Sequence, residues 1–367
     1  MEEKAYFLAL SDFGFLPRAF LKLLQVFKTP QNIWNASFES WIRQSGLRAE
    51  KIKDFFAFKE KYDLQSSWMK FKRSGIGLAA LQDLEYPQAL KEIPDPPPVL
   101  FYQGNLKCLN KICFAIVGSR QASPCGKLQA AKLSETLAGL GITIVSGLAR
   151  GIDQAAHEGS LKSGETAAVL GSGIDQIYPP ENQNLSERIK RQGVVLSEFP
   201  PGTLPSPWHF PQRNRIISGL SIGVLVVEAG EKSGALITAQ FALEQGRGVF
   251  AIPGAPGSDL SKGTNQLIQS GGKLVQEIRD ILEEFPLQVI SVLNLKSSDS
   301  LLKEREKMPQ EKMAKTVLQM LSAKEGVCIE DLVCQLELPV SKLSAILASL
   351  EMKGFVSRLP GNFYVKL

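Results

Sequence analysis

Two arginines and an aromatic ring stand directly ahead of a long apolar run in Phe210-Pro-Gln-Arg213-Asn214-Arg215, which continues through Ile216 to Ala229. Arginine carries a permanently charged planar fork that matches phosphate oxygens, and an aromatic face stacks on an unpaired base. Side by side they suit the holding of a polynucleotide more than the breaking of a bond. Similar residues recur in other turns. Gly118-Ser119-Arg120 follows the apolar run Cys113–Val117 and joins a glycine, which lets a ligand approach the backbone, to a hydroxyl and a bidentate donor. A helix starting there adds unpaired amides and a partial positive charge. Arg150 sits in Ser146-Gly-Leu-Ala-Arg-Gly-Ile-Asp153, Ser172 lies between two glycines in Gly171-Ser172-Gly173, and Lys232 falls in the Glu228–Gly234 stretch. Lys127 is a further base near the first of these turns.

Each feature also has a plainer reading. Gly171-Ser172-Gly173 lacks the third glycine of a dinucleotide fingerprint and suits simple turn geometry. Asp153 fits a favourable first-turn charge on its helix, His157 structural duty, and one of Trp208, His209 and Phe210 a core ring. Arg213 has an alternative partner inside the domain in Glu198 or Glu228. What persuades is the coincidence of several such turns.

Absent motifs narrow the chemistry. No Gly-x4-Gly-Lys-[Ser/Thr] occurs, so a nucleotide-hydrolysing motor is disfavoured. Two histidines leave little room for a histidine-based triad or metal cluster, and no acidic cluster suggests two-metal nuclease chemistry. The five cysteines are odd in number and form no Cys-x-x-Cys pair, which argues against a disulfide framework and a zinc site and for a reducing cytoplasm. The net charge of +5 is mild, so any basic surface is local. No apolar run reaches membrane-spanning length, and the start does not read as a signal peptide.

The turns need elements to position them. Six short apolar runs, 113–118, 142–147, 166–171, 193–198, 222–229 and 248–253, alternate with amphipathic stretches, which predicts an α/β domain with a doubly wound, mainly parallel sheet over 112–285. Ligands of such sheets sit beyond the carboxyl ends of the strands, where these turns cluster. Residues 1–82 read as a small helical domain, SAM or helix-hairpin-helix-like, fit either for a nucleic-acid backbone or for packing. A proline-rich connection spans 83–111 and a linker 286–310. Three helical patterns and a hairpin over 311–367 outline a winged helix, whose last helix, with Lys342 and Lys353 against Glu351, is poor in charge and suits protein contact as well as DNA.

Taken in order, Tyr86-Pro87 with the proline run, Ala115–Arg120, Ser146–Asp153, Gly171–Asp175 with Tyr178-Pro179, Phe210–Gly219, and Gly234–Ala239 through Pro253-Gly254 resemble the DNA-processing protein A (DprA/Smf) family over roughly 86–275. The resemblance implies an extended Rossmann-like core that binds single-stranded DNA, protects incoming strands in natural transformation and helps load the RecA recombinase. It also implies a homodimer formed through this core, with no cofactor and no catalytic residue. Carried over, the Gly-Ser-Arg turn falls on Gly118, Ser119 and Arg120, and the Phe-x-x-Arg-Asn-Arg stretch on Phe210, Arg213, Asn214 and Arg215, with Phe210 the stacking ring. Pro205-Ser206-Pro207 and Pro180-Glu181 lack bases that some relatives carry there; Lys127, Arg150 and Lys232 are the neighbouring bases that would compensate. The competing reading is a phosphoribohydrolase-like enzyme with Glu228 or Glu198 as its carboxylate; a partner-binding adaptor is a third.

Overall fold

The computed structural model describes residues 2–286, 289–290, 293, 310–321, 326–336, 338–352, 354–359 and 361–366. Most of the expected linker 286–310 and Lys353 therefore lie outside the described residues. The N-terminal part folds into six helices: α1 (Glu3–Phe13), α2 (Pro17–Phe27), α3 (Pro30–Asn35), α4 (Phe38–Gln44), α5 (Ala49–Lys61) and α6 (Leu64–Arg73). Their starts are written in the sequence. Pro17 and Pro30 occupy first-turn positions where a missing N–H costs nothing, and the side chains of Thr29, Ser37 and Asp63 accept from backbone amides three residues on. Phe20, Leu23 and Phe27 bury one face of α2, and Trp41 stacks on Phe55 at 4.5 Å in the centre.

A nine-stranded sheet forms the core. Its strands are β1 (Gly77–Ala80), β2 (Val99–Gly104), β3 (Cys113–Val117), β4 (Thr143–Ser146), β5 (Thr166–Leu170), β6 (Val194–Ser197), β7 (Gly223–Val226), β8 (Gly248–Ala251) and β9 (Lys273–Leu274), in the order β1-β2-β6-β5-β4-β3-β7-β8-β9. All neighbours from β6 to β9 pair parallel; β1 with β2 and β2 with β6 pair antiparallel. Each of the six apolar runs is a strand. The sheet also recruits β1 and β2, from segments expected to be helical domain and proline-rich connection, so the core begins well ahead of residue 112. Pro96, Pro97 and Pro98 stop just short of Val99, and Pro98 accepts from the Leu81 amide, so the prolines lie ahead of β2, which pairs on both sides.

Helices cover both faces. Short α7 (Gln88–Lys91) precedes β2; α8 (Pro124–Gly139), α9 (Ile152–Ser160), α10 (Gln183–Gln192), α11 (His209–Leu220), α12 (Gly234–Glu244), α13 (Lys262–Gln269) and α14 (Ile278–Leu282) follow. Along β3 the pleat sends Phe114 and Ile116 towards α8 and α9, while Ala115 and Val117 face α11 and α12. Such two-sided burial is why the strands read as unbroken apolar runs.

His157 on α9 is fully buried, with Nδ1 2.7 Å from Thr166 Oγ1 and Nε2 without a partner. Burial pushes its pKa down to about 3, with Arg213 adding to the shift. The unfolded chain therefore takes up this proton first, so the contribution to stability is complete above the ordinary histidine range near pH 6.5 and is lost as the pH falls towards 3. His157→Gln is expected to flatten the pH dependence of unfolding free energy between about pH 5 and 6.5, measured by urea titration at each pH.

At the C-terminus, helices Gln310–Met320, Ile329–Leu336 and Val340–Met352 pack with β10 (Val327–Cys328), β11 (Val356–Leu359) and β12 (Phe363–Lys366), in the order β10-β12-β11. Gly361 and Asn362, at φ 82° and 62°, make the hairpin turn. This winged-helix arrangement adds a strand to the expected hairpin. The expectation of no disulfide is corrected: Cys125 on α8 and Cys334 on the second of these helices are bonded, with Cα atoms 5.4 Å apart. The pair is created when this helix docks on α8, and nothing in a sequence separation of 209 residues announces it. Cys108, Cys113 and Cys328 are free.

Candidate nucleic-acid interface

The chain adds β4, β5 and β6 on one side of β3 and then returns to add β7 on the other, so the strand order reverses between β3 and β7. The turns leaving the two strands diverge there and open a crevice. A groove of about 910 Å³ occupies it, lined by Gly118–Gln121 after β3, by Lys232–Ala235 after β7 and by one face of α11. The Gly118 backbone lies so close to Ile152 that a Cβ would meet it at 2.6 Å, and the Ser119 amide donates to the Glu228 carbonyl at 2.7 Å. These contacts fix the first turn and leave Arg120 exposed on the groove, its guanidinium 5.0 Å from the centre of the Phe210 ring. Phe210 in turn packs at 5.7 Å on Tyr178. Lys232, also exposed, stands on the groove beside the start of α12, where Ser233 caps the Ala235 amide.

Helical geometry splits the Phe210–Arg215 stretch, because successive residues point about 100° apart and positions two apart face nearly opposite ways. Phe210, Arg213, Asn214 and Ile217 line the groove. Arg213 nonetheless has only 4 % of its surface exposed. Its Nη1 donates to the carbonyls of Gly147, at 2.7 Å, and Val169, and its Nε to Asn214 Oδ1 at 3.1 Å. Gly147 is required by this contact, since a Cβ there would meet the guanidinium at 2.5 Å. Burial lowers the Arg213 pKa to about 10, opposed by the charge of Asp153, so the group stays protonated at neutral pH. Asp153 takes the Gly147 amide at 3.0 Å, and its own pKa is raised by burial against the pull of Arg213. Arg213 is thus the clasp joining β4, β5 and α11, with one edge on the groove.

Several expected contacts are corrected. Arg215 points away from the groove, with Nη2 2.6 Å from Glu198 Oε2 and Nε 3.3 Å from Asp95, so its charge is met inside the protein. Ser172 is buried and donates to the Gln176 carbonyl at 2.6 Å, which makes it a turn brace. Asn214 keeps its place on the groove wall though only 8 % exposed, and its amide donates to the Gly234 carbonyl at 3.2 Å, tying α11 to α12. Lys127 is exposed on α8 but does not line the groove. Arg150, with Tyr178 at an adjoining recess, is paired with Glu181. Arg120, Lys232 and Phe210 remain, with Gly118 and Ser119 shaping the turn. Tyr178 and Gln121 also line the groove; no spacing rule marks a ring brought there by its packing on another.

The two carboxylates suggested for an enzymatic alternative have other work. Glu228 accepts from the Ser123 amide at 2.9 Å and from the Ser123 hydroxyl, holding the cap of α8, and Glu198 faces Arg215. No group of three His, Cys, Asp or Glu side chains able to hold a metal occurs among the described residues.

Residues 77–286 match the DNA recombination-mediator protein A family, and residues 303–362 match the DprA winged helix domain. The chain is 35 % identical to Protein Smf of Synechocystis, over 99 % of this chain and 98 % of that protein. Its fold is similar to the X-ray structure of DNA processing protein A from Streptococcus pneumoniae, with TM-score 0.70 and 39 % identity over 77 % of this chain and 98 % of the other. It is also similar to the DNA processing protein A of Helicobacter pylori, studied for its unique single-stranded DNA binding mode, with TM-score 0.52 and 31 % identity over 56 % and 94 % of the two chains. A family match covering more than half of the chain, on a fold shared with solved relatives, identifies it: the chain belongs to the DNA-processing protein A (DprA/Smf) family of DNA recombination mediators.

Proposed function

We propose that the groove at the β3/β7 reversal holds single-stranded DNA without cleaving it. Phosphates meet Arg120, Lys232 and the amides at the start of α12, while unpaired bases stack on Phe210 and Tyr178. The observation carrying this reading is the exposed Arg120 guanidinium set over the Phe210 ring at the mouth of the groove. A cation and a π-face in one place suit a strand whose bases are out of a duplex, and neither group reads base identity. In keeping with the family, the bound strand is then handed to the RecA recombinase, and the core pairs with a second copy of itself in a cytoplasmic protein. No helix among the described residues is long and apolar enough to cross a membrane.

The test is a gel-shift comparison of single-stranded and duplex oligonucleotides of mixed sequence across a salt series. Single strands are expected to bind tighter, indifferently to base order, with affinity falling as salt rises. Equal affinity for both forms would refute the proposal.

Beyond the Pro205–Pro207 rim, Trp208 is 83 % exposed. Such a ring has little folding role to lose and is placed to stack on the next base. Trp208→Ala is expected to cost about 1–3 kcal/mol of single-strand affinity with no change in melting temperature, read by fluorescence anisotropy and calorimetry. Unaltered affinity removes Trp208 from the strand's path.

A further inference from the structure

A second cavity, of about 280 Å³, lies between the N-terminal helices and the core sheet. It is separate from the groove, because α11 turns Phe210 and Arg213 to the groove and His209 and Gln212 to this cavity. Phe15 and Phe20 of the helical part and Phe199 of the core line it, Glu198 stands within it and Asp12 at its exposed edge. No lysine or arginine is among its lining residues.

The carboxylate of Glu198 is only half used. Its side chain is 4 % exposed and Oε2 pairs with Arg215; Gln212 stands beside the carboxylate, yet Oε1 is buried with no hydrogen bond of good geometry. His209 Nδ1, on a ring stacked 4.2 Å from Phe199, is likewise without one. A buried carboxylate oxygen left unmet is costly, so a donor is called for at this point. The charge balance says which kind. Arg215 is shared between Glu198 and Asp95, one cation against two anions, and its own Nη1 is likewise buried without a partner. Asp12 adds a third, its Oδ2 taking the Tyr62 hydroxyl. Carboxylates among phenyl rings attract a cation and repel a phosphate. The volume suits a chain about the size of an arginine side chain and is below the usual range for drug-sized ligands, about 300–1,000 Å³.

We propose that this cavity is a binding site for a guanidinium cation, held by Glu198 Oε1 and the three phenyl rings and closed over by Asp12. The same chemistry has two sources, a free small molecule or an arginyl side chain of a peptide. The site goes beyond DNA binding and does not depend on it.

Isothermal titration of the full-length protein distinguishes the outcomes, with three probes: agmatine, an N-acetylated and C-amidated arginine, and citrulline, in which a neutral urea replaces the guanidinium. Saturable binding of one or both cations is expected, with citrulline weaker by at least about tenfold, the ratio that corresponds to one charge-assisted contact of about 1.4 kcal/mol. Tighter binding of agmatine points to a free metabolite and tighter binding of the capped arginine to a protein partner; either supports the site. Asp12→Asn is expected to weaken the cation about tenfold, and Glu198→Gln more. Because Glu198→Gln also strips Arg215 of a partner and its folding is less secure, Asp12→Asn carries the test by itself. No saturable binding of either cation, equal binding of citrulline, or unchanged affinity in Asp12→Asn overturns the proposal and leaves ordered water as the occupant. Single-strand affinity of Asp12→Asn is expected to match the parent, which separates failure here from failure of the DNA reading.

Discussion

Arg213→Ala is expected to lower the unfolding free energy by about 3–5 kcal/mol, the range for stripping one member from a buried charged network. The sequence alone pointed to Arg213 as a contact for the bound strand. Three features set the larger effect. The guanidinium is buried and donates to the carbonyls of Gly147, just after β4, and of Val169 in β5, so its loss removes a charged donor from both. It also faces Asp153, whose charge would be left in the interior without its cation. Finally Gly147, shaped around the guanidinium, would border an empty space. Urea unfolding followed by circular dichroism measures the change, and DNA affinity should be compared only where the variant is folded. A stability within about 0.5 kcal/mol of the parent, the scale of an ordinary surface substitution, would contradict this role.

The converse is expected of Arg120→Ala/Lys232→Ala. Both side chains are exposed, and among the described residues neither is paired with a carboxylate, so their loss removes no ion pair and only the Arg120 contact with the Phe210 ring. Stability should stay within about 0.5 kcal/mol. Single-strand affinity should fall roughly a hundredfold at low salt, and the slope of log affinity against log salt should shrink by about 1.4, from about 0.7 per phosphate contact. Lys127→Ala, off the groove, serves as the control with little change. Anisotropy titrations at four or five salt concentrations supply both numbers, and a slope equal to the parent's would mean that neither cation touches a phosphate.

The contrast between Arg213 and Arg120 marks where sequence reading stops. The central strands were legible because both sheet faces are covered, which leaves apolar runs such as Cys113–Val117 with no polar alternation to hide them. The turn Gly118-Ser119-Arg120 was legible because a glycine after a buried strand implies backbone that something approaches. β1 and β2 were missed, one behind a helical stretch and the other behind consecutive prolines. The two arginines flanking Asn214 were read as one cationic patch, since adjacency in a linear text looks like adjacency in space. On a helix, residues two apart diverge, and one arginine became a clasp at the groove while the other turned to Glu198 and Asp95. Carboxylate partners such as Asp95, 120 positions from Arg215, leave no local trace.

The apolar cluster that begins at Ala5 in α1 runs without a break through Trp41, Phe71 and Phe101 to Leu170 and Val195 in the parallel sheet. Helical part and sheet therefore share one interior, and the boundary suggested near residue 82 runs through the middle of it. The first six helices are in effect a wall of the unit that carries the groove: cut away, they would leave Phe101 and Val195 facing water. Any shorter form that keeps the groove must keep this wall or replace it.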